Sequence, residues 1–306
     1  MLINCQKCDS KLTIDEAAAL PGRKICCPHC NYVFVANSST TGSTADVNKV
    51  IPQKDAKIIA VCNRKGGVAK TTTVLNMGAS LAVYGKRVLL VDFDMQANLS
   101  IVLGLTNQEN SFYDLLHSSG STLSEVVKKT RYKNLWVLPS NSKMALLAKK
   151  NLNRQDFVYL LRDQLNSLRK VVDYIIIDTP PSIEFYTLNA LMAADFVIIP
   201  TQCEFLSVHG VAHIEEAIKV IKKQKNKRLE YAILVTMAEK NSTAGRVMYN
   251  KLLEQYSDKV LATQIENDIK MQESQIMNLI VAQYDKKSPS ARQYLQLAEE
   301  ISRMLE

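Results

Sequence analysis

The sequence predicts an α/β fold, a mostly parallel sheet with helices on both faces, behind a small cysteine-bearing module at the N-terminus. Three observations carry that prediction. From Lys57 onward, short apolar β-rich runs alternate with helical patterns, as in successive βαβ units. Most of those runs are continuously apolar, as strands covered on both faces are. A glycine-bearing loop, Asn63 to Thr73 (NRKGGVAKTTT), joins the first run to a helix. A chain of 306 residues exceeds the usual single-domain size, so one large domain plus a small module is expected.

Residues 1–35 form the module. Cys5-x2-Cys8 and Cys27-x2-Cys30 have the spacing of a four-thiolate Zn²⁺ site, a zinc ribbon. The same cysteines would suit disulfides or a redox pair, but no βαβ pattern surrounds them and the chain reads as cytoplasmic. So short a segment cannot bury enough surface to fold unaided, so the metal is expected to supply most of its stability. Residues 36–56, which include NSSTTGST and Pro52, are too polar to pack and read as a flexible linker. The large domain then occupies residues 57–306, with strands expected at 57–62, 87–92, 135–139, 174–178, 196–200, 232–236 and 260–265.

The loop carries the chemistry. It enters a helix expected at 71–84, whose Val74, Leu75, Met77, Gly78, Leu81 and Ala82 share one face. Unpaired amides of the first turn and the positive end of the helix dipole make an anion site there, and glycines let backbone N–H groups approach phosphate oxygens. Gly66, Gly67, Val68, Ala69 and Thr72 form the cradle, Lys70 supplies charge for the β- and γ-phosphates, and Thr71 a hydroxyl for Mg²⁺. Two further strand ends point to the same edge. One delivers Asp92 and Asp94 and the other Asp178, an acid that can hold Mg²⁺ through a water. Thr179-Pro180-Pro181-Ser182 is a stiff turn suited to sensing a γ-phosphate.

Lys65, directly before Gly66-Gly67, exceeds what a general phosphate loop requires. With it the loop resembles the KGGVGKT signature of the deviant Walker ATPases of the ParA/MinD family, with Ala69 at the last glycine. Residues 91–100 (VDFDMQANLS) resemble the family's DxDPQGN, with Met95 at the proline and Ala97 at the glycine. The DTPP turn and the tail YDKKSPSARQYLQLAEEI also match, so the resemblance covers residues 57–306. It implies a P-loop NTPase sheet that binds ATP and Mg²⁺ and hydrolyses ATP slowly under the stimulus of a ParB-like adaptor. It also implies a homodimer with ATP that binds DNA without sequence preference and positions a plasmid, a chromosome origin or a large complex. Lys65, Lys70 and Asp94 are then the catalytic set, Asp94 orienting water and Lys65 reaching the phosphates of the second subunit. An alanine at residue 69 fits at negative φ and is strained at positive φ.

The formal charge of +8 favours a polyanionic partner. Lys219, Lys222, Lys223, Lys225, Lys227 and Arg228 form a basic run, to which Arg246, Lys286 and Lys287 add charge. We read the run as a DNA-phosphate contact, although a solvated helix face carries the same pattern. No aromatic interleaves it, so base stacking is not expected. No apolar run is long enough to cross a membrane and the last helix lacks a basic amphipathic face, so a cytoplasmic, nucleoid-associated protein is expected rather than a MinD-like membrane binder. Only Cys62 and Cys203 lie in the large domain, which argues against the related iron-sulfur reductases. The rival reading is a DNA-binding regulator that uses ATP as a conformational ligand with little turnover.

Overall fold

In a computed structural model, the chain divides into two units, Met1–Pro52 and Gln53–Glu306. The structure describes residues 2–4, 10–13, 24–26, 33–35, 55–105, 110–117, 122–151, 156–224, 226–239 and 242–306. In the first unit, β1 (Leu2–Asn4) pairs antiparallel with β2 (Lys11–Thr13), and β3 (Lys24–Cys26) with β4 (Val33–Val35). Cys5, Cys8, Cys27, Cys30 and the expected linker up to residue 54 lie outside the described residues.

The second unit is built on a seven-stranded sheet. Its strands are β5 (Lys57–Val61), β6 (Val88–Asp92), β7 (Lys128–Lys129), β8 (Leu135–Leu138), β9 (Tyr174–Asp178), β10 (Phe196–Thr201) and β11 (Glu230–Val235). They lie in the order β11-β10-β5-β9-β6-β8-β7, parallel except for β7. The helices are α1 (Lys70–Val83), α2 (Asn98–Val102), α3 (Phe112–His117), α4 (Leu123–Val126), α5 (Met144–Asn151), α6 (Leu160–Leu165), α7 (Phe185–Ala193), α8 (Phe205–Gln224), α9 (Thr243–Tyr256), α10 (Ile269–Ile276), α11 (Val281–Tyr284) and α12 (Pro289–Leu305).

Alternate residues of each central strand enter two separate cores, so the strands are apolar throughout. Ile59, Val61, Leu90 and Ile176 pack under α1 and α12, while Ile58, Ala60, Val91 and Ile177 pack under α7 and α8. Helix α1 is buried over residues 73–82, far beyond the single face its periodicity suggests, because α12 covers its outer side. It lies close on the sheet: a Cβ added at Gly78 would meet Leu90 Cδ2 at 2.5 Å. The crossover from β5 to β6 passes β9, and that from β9 to β10 passes β5 in the opposite direction. The chain thus reverses its winding between β5 and β9, and a ligand crevice is expected outside their carboxyl ends.

One expected strand needs correction, and one strand was not expected. Residues 260–265 form no strand. Leu261 N donates to Ile233 O and Ile265 N to Val235 O, both at 2.9 Å, but Glu300 on α12 takes the amides of Ala262 and Thr263 between them. Only isolated bridges at Val260 and Glu266 remain. Conversely β7, two lysines paired antiparallel with β8, carries no apolar signal that a sequence reading could use. Among the described residues no helix is long and apolar enough to cross a membrane.

Candidate functional site

The phosphate loop hangs from three neighbouring strand ends. Thr179 Oγ1, just past β9, donates to Val61 O at 2.8 Å. Asn63, fully buried, donates through Nδ2 to Pro200 O of β10 at 2.7 Å and accepts Lys65 N at 2.9 Å. Thr236, just past β11, donates through Oγ1 to Val68 O at 3.2 Å. Gly67 adopts φ 72°, a left-handed conformation that favours glycine. Ala69, the residue before α1, adopts φ 63° and ψ 33°, so the strained alternative holds. That left-handed conformation costs about 1–2 kcal/mol for a residue with a Cβ. Lys70 is buried to 8% exposure and donates through Nζ to Lys65 O at 3.0 Å. Burial pushes its ammonium below the ordinary lysine value, against the pull of Asp178.

The carboxylates gather beside it because register aligns their strands: Val61, Asp178 and Asp92 stand abreast at the sheet's carboxyl edge. Asp178 is fully buried, and its Oδ2 accepts Thr71 Oγ1 at 2.7 Å. Its Oδ1 is buried without a hydrogen-bond partner. Burial, then the nearby Asp92, pushes the Asp178 carboxyl well above the usual carboxylate range. Asp94 is raised too, again chiefly by burial. A buried oxygen left unmatched is costly, and a hard divalent cation beside a threonine hydroxyl is a natural partner for it, so these residues fit Mg²⁺.

Asp92, expected among the nucleotide-binding residues, is fully buried at the same edge. Both its oxygens are used within the chain: Oδ2 accepts Ser100 N at 2.8 Å and Ser100 Oγ at 2.7 Å, and Oδ1 accepts Asp94 N at 3.3 Å. It therefore clamps the loop that carries Asp94. Ala97, before α2, is also left-handed at φ 54°. Ser140 Oγ donates to Asp94 O, tying this loop to the end of β8.

A cavity of about 290 Å³ is lined by Gly66, Gly67, Ala69, Lys70, Thr71, Thr72 and Asp94. Gln96, Asn98, Thr179, Pro181 and Met237 complete it. Val68 is buried behind the loop and Thr72 Oγ1 accepts Gln275 Nε2 at 2.7 Å. Met237 also borders a larger cavity of about 770 Å³ under α9, so the crevice extends beyond the phosphate loop. Lys65 Nζ is held at the β10–α8 junction, donating to Glu204 Oε2 at 2.7 Å and Gln202 Oε1 at 3.1 Å. Sequence reasoning missed Thr236, Met237, Gln202 and Glu204. None belongs to a local motif, and only the order of strand ends brings them to the loop.

Most of the basic residues lie at the C-terminal end of α8 and in the turn before β11. Helix α8 starts at the carboxyl edge after β10 and returns toward β11, so Lys219, Lys222, Lys223, Lys227 and Arg228 lie toward the opposite edge from the phosphate loop. Lys219 pairs with Glu215 and Lys222 with Glu230, while Lys223, Lys227 and Arg228 are exposed. Lys225 lies outside the described residues. Arg246 lines a separate cavity of about 540 Å³ on α9.

Residues 56–231 match a family model described as an AAA domain. The sporulation initiation inhibitor protein Soj of Bacillus subtilis is 35% identical over 249 residues, 80% of this chain and 98% of that protein. The chromosome-partitioning ATPase Soj of Treponema pallidum is 34% identical over 246 residues, 80% of this chain and 96% of that protein. Among solved structures, cobyrinic acid a,c-diamide synthase of Mycobacterium smegmatis with bound ATP analogue and magnesium is 32% identical. It has a TM-score of 0.70, covering 81% of this chain and 95% of that one.

Proposed function

The chain belongs to the Soj/ParA family of P-loop ATPases, and on that footing we propose that it is an ATP-driven partitioning protein. In this reading it pairs with a second copy when ATP is bound, holds DNA without sequence preference and releases it after a slow, adaptor-stimulated hydrolysis. The observation that carries the reading is the buried, unpartnered Asp178 Oδ1 beside Thr71 and Lys70. Lys70 leaves the Lys65 carbonyl to meet the β- and γ-phosphates of ATP, and the amides of residues 66–72 cradle them. Thr71 directly, and Asp178 through a water, would hold Mg²⁺, which when bound neutralises charge on the phosphates. Asp94 accepts a hydrogen bond from the attacking water and fixes its direction. Lys65 reaches the phosphates of the partner subunit.

Lys223, Lys227 and Arg228 are the DNA contacts this reading favours, with Lys219 and Lys222 partly neutralised by their acidic neighbours. The zinc ribbon belongs to the proposal as well. Each Cys-x-x-Cys lies in sequence between the two arms of a short antiparallel ladder, as a metal knuckle requires. Metal analysis of the whole protein should find about one equivalent of zinc, lost in Cys5→Ser.

Phosphate release measured with Mg²⁺, with and without DNA, tests the ATPase. Slow turnover abolished by EDTA supports it. The second reading, a DNA-binding regulator that uses ATP as a conformational ligand with little turnover, is favoured by the left-handed alanines Ala69 and Ala97. Tight ATP binding with no phosphate release would decide for that reading.

A further inference from the structure

We propose that Glu204, helped by Gln202, is a positioning residue for Lys65. It holds the Lys65 ammonium within its own subunit and so sets the protein concentration at which ATP brings two copies together. The proposal rests on the reading above, that Lys65 serves the partner subunit's phosphates.

All three polar groups of Lys65 are engaged inside the chain. Its N–H donates to Asn63 Oδ1 at 2.9 Å, its carbonyl accepts Lys70 Nζ at 3.0 Å, and its ammonium meets Glu204 at 2.7 Å and Gln202 at 3.1 Å. Asn63 is itself bound to Pro200, two residues before Gln202, so backbone and side chain are fixed to the same β10–α8 junction. Gly210 of α8 lies so near that an added Cβ would stand 2.9 Å from Asn63 Oδ1. The junction therefore cannot drift from the loop, and Lys65 can leave only by rotating its own side chain. Nucleotide acts at one of these attachments, because phosphates that draw Lys70 toward them withdraw its donor from the Lys65 carbonyl.

The hold is also weak enough to release. The Lys65 side chain is 32% exposed and that of Glu204 59%, and so open an ion pair shifts an equilibrium by at most about fivefold. A two-fold symmetric dimer releases two such pairs, so the effects multiply to roughly three- to twentyfold.

Sedimentation of the full chain with a slowly hydrolysed ATP analogue and Mg²⁺ tests this. Glu204→Gln keeps the shape and removes the charge, so its dimer dissociation constant should fall roughly three- to twentyfold. Gln202→Glu adds a second carboxylate and should raise it. Opposite shifts at unchanged melting temperature are not what a merely structural pair of residues gives. A Glu204→Gln constant equal to or weaker than wild type overturns the proposal, and so does a Gln202→Glu constant that does not rise. Lys65→Ala separates the two claims. If it fails to dimerise, the reading of Lys65 stands whatever Glu204 does. If it dimerises like wild type, or if wild type stays monomeric with the analogue, that reading fails and takes the proposal with it.

Discussion

The two loops that frame the site end alike and are held differently. Ala69 precedes α1 at φ 63° and Ala97 precedes α2 at φ 54°, each left-handed with about the same local cost. Around Ala69 the frame is dense: α1 is a 14-residue helix buried over residues 73–82, and Asn63, Thr179 and Thr236 tie the loop to three strand ends. Around Ala97 it is shorter and open in the middle. Helix α2 has 5 residues, Met95, Gln96 and Asn98 face solvent or the cavity, and Asp92 with Ser100 and Ser140 makes the main attachments. Strain persists where the surroundings over-determine it, so the first loop is a fixed template. The second is anchored at its ends but open at Met95, Gln96 and Asn98, and is the part expected to rearrange on loss of a γ-phosphate.

The largest expected effect breaks the comparison at its charged residues. Lys70→Ala should weaken nucleotide binding roughly a hundredfold in a fluorescence titration, since a charged hydrogen-bond donor is lost from the template. Asp94→Ala should keep affinity within about threefold and cut turnover by about 10²–10⁴-fold, prolonging the ATP-bound state on DNA. Equal losses of binding in both variants would erase the distinction between template and switch.

An intermediate effect tests the clamp. Burial, partly offset by Ser100, raises the Asp92 carboxyl to about 6. Between the ordinary carboxylate value and about 6, the folded chain keeps a proton that the unfolded chain has released. Stability therefore falls as pH rises through that window, by on the order of 2–3 kcal/mol from this residue. Urea midpoints measured from pH 4 to pH 7 should show the decline in wild type and a shallower one in Asp92→Asn. Asp178, also raised, retains part of the slope in the variant.

The smallest effect sharpens the contrast between the alanines. Ala69→Gly and Ala97→Gly each relieve left-handed strain, offset by the greater freedom of glycine in the unfolded chain, for a net gain of about 0.5–1 kcal/mol. Melting temperatures should rise by about 1–4 °C. Ala97→Gly should alter turnover a few-fold while Ala69→Gly alters mainly nucleotide affinity. The reverse assignment would make the first loop the moving one.

Much of this was legible in the sequence for a local reason. Strands covered on both faces announce themselves as apolar runs, and Lys70, Thr71, Asp94 and Asp178 sit at fixed distances from strand ends that such runs locate. What escaped is set by distant partners. Asn63 and Lys65 meet Pro200, Gln202 and Glu204 across 137 to 139 residues of chain. Residues 260–265 have the composition of a strand but lose two amides to Glu300, and no periodicity foretells that capture. The sequence could pose the question of φ at Ala69, but only the helix-loop geometry answered it.

The missing strand at 260–265 and the two-lysine β7 together have a consequence for how this molecule meets its own kind. They stand at the two margins of the sheet, one touching β11 only at Val260, Leu261 and Ile265, with Glu266 bridging to Ala238 beyond it, the other too short and too charged to extend. Neither margin offers an unbroken row of open backbone groups on which another chain could add a strand. Growth of one sheet onto another is thereby blocked at both ends, and with it the route to fibres that exposed strands invite. This ATPase is thereby guarded at its central sheet against the one kind of self-association that does not readily reverse.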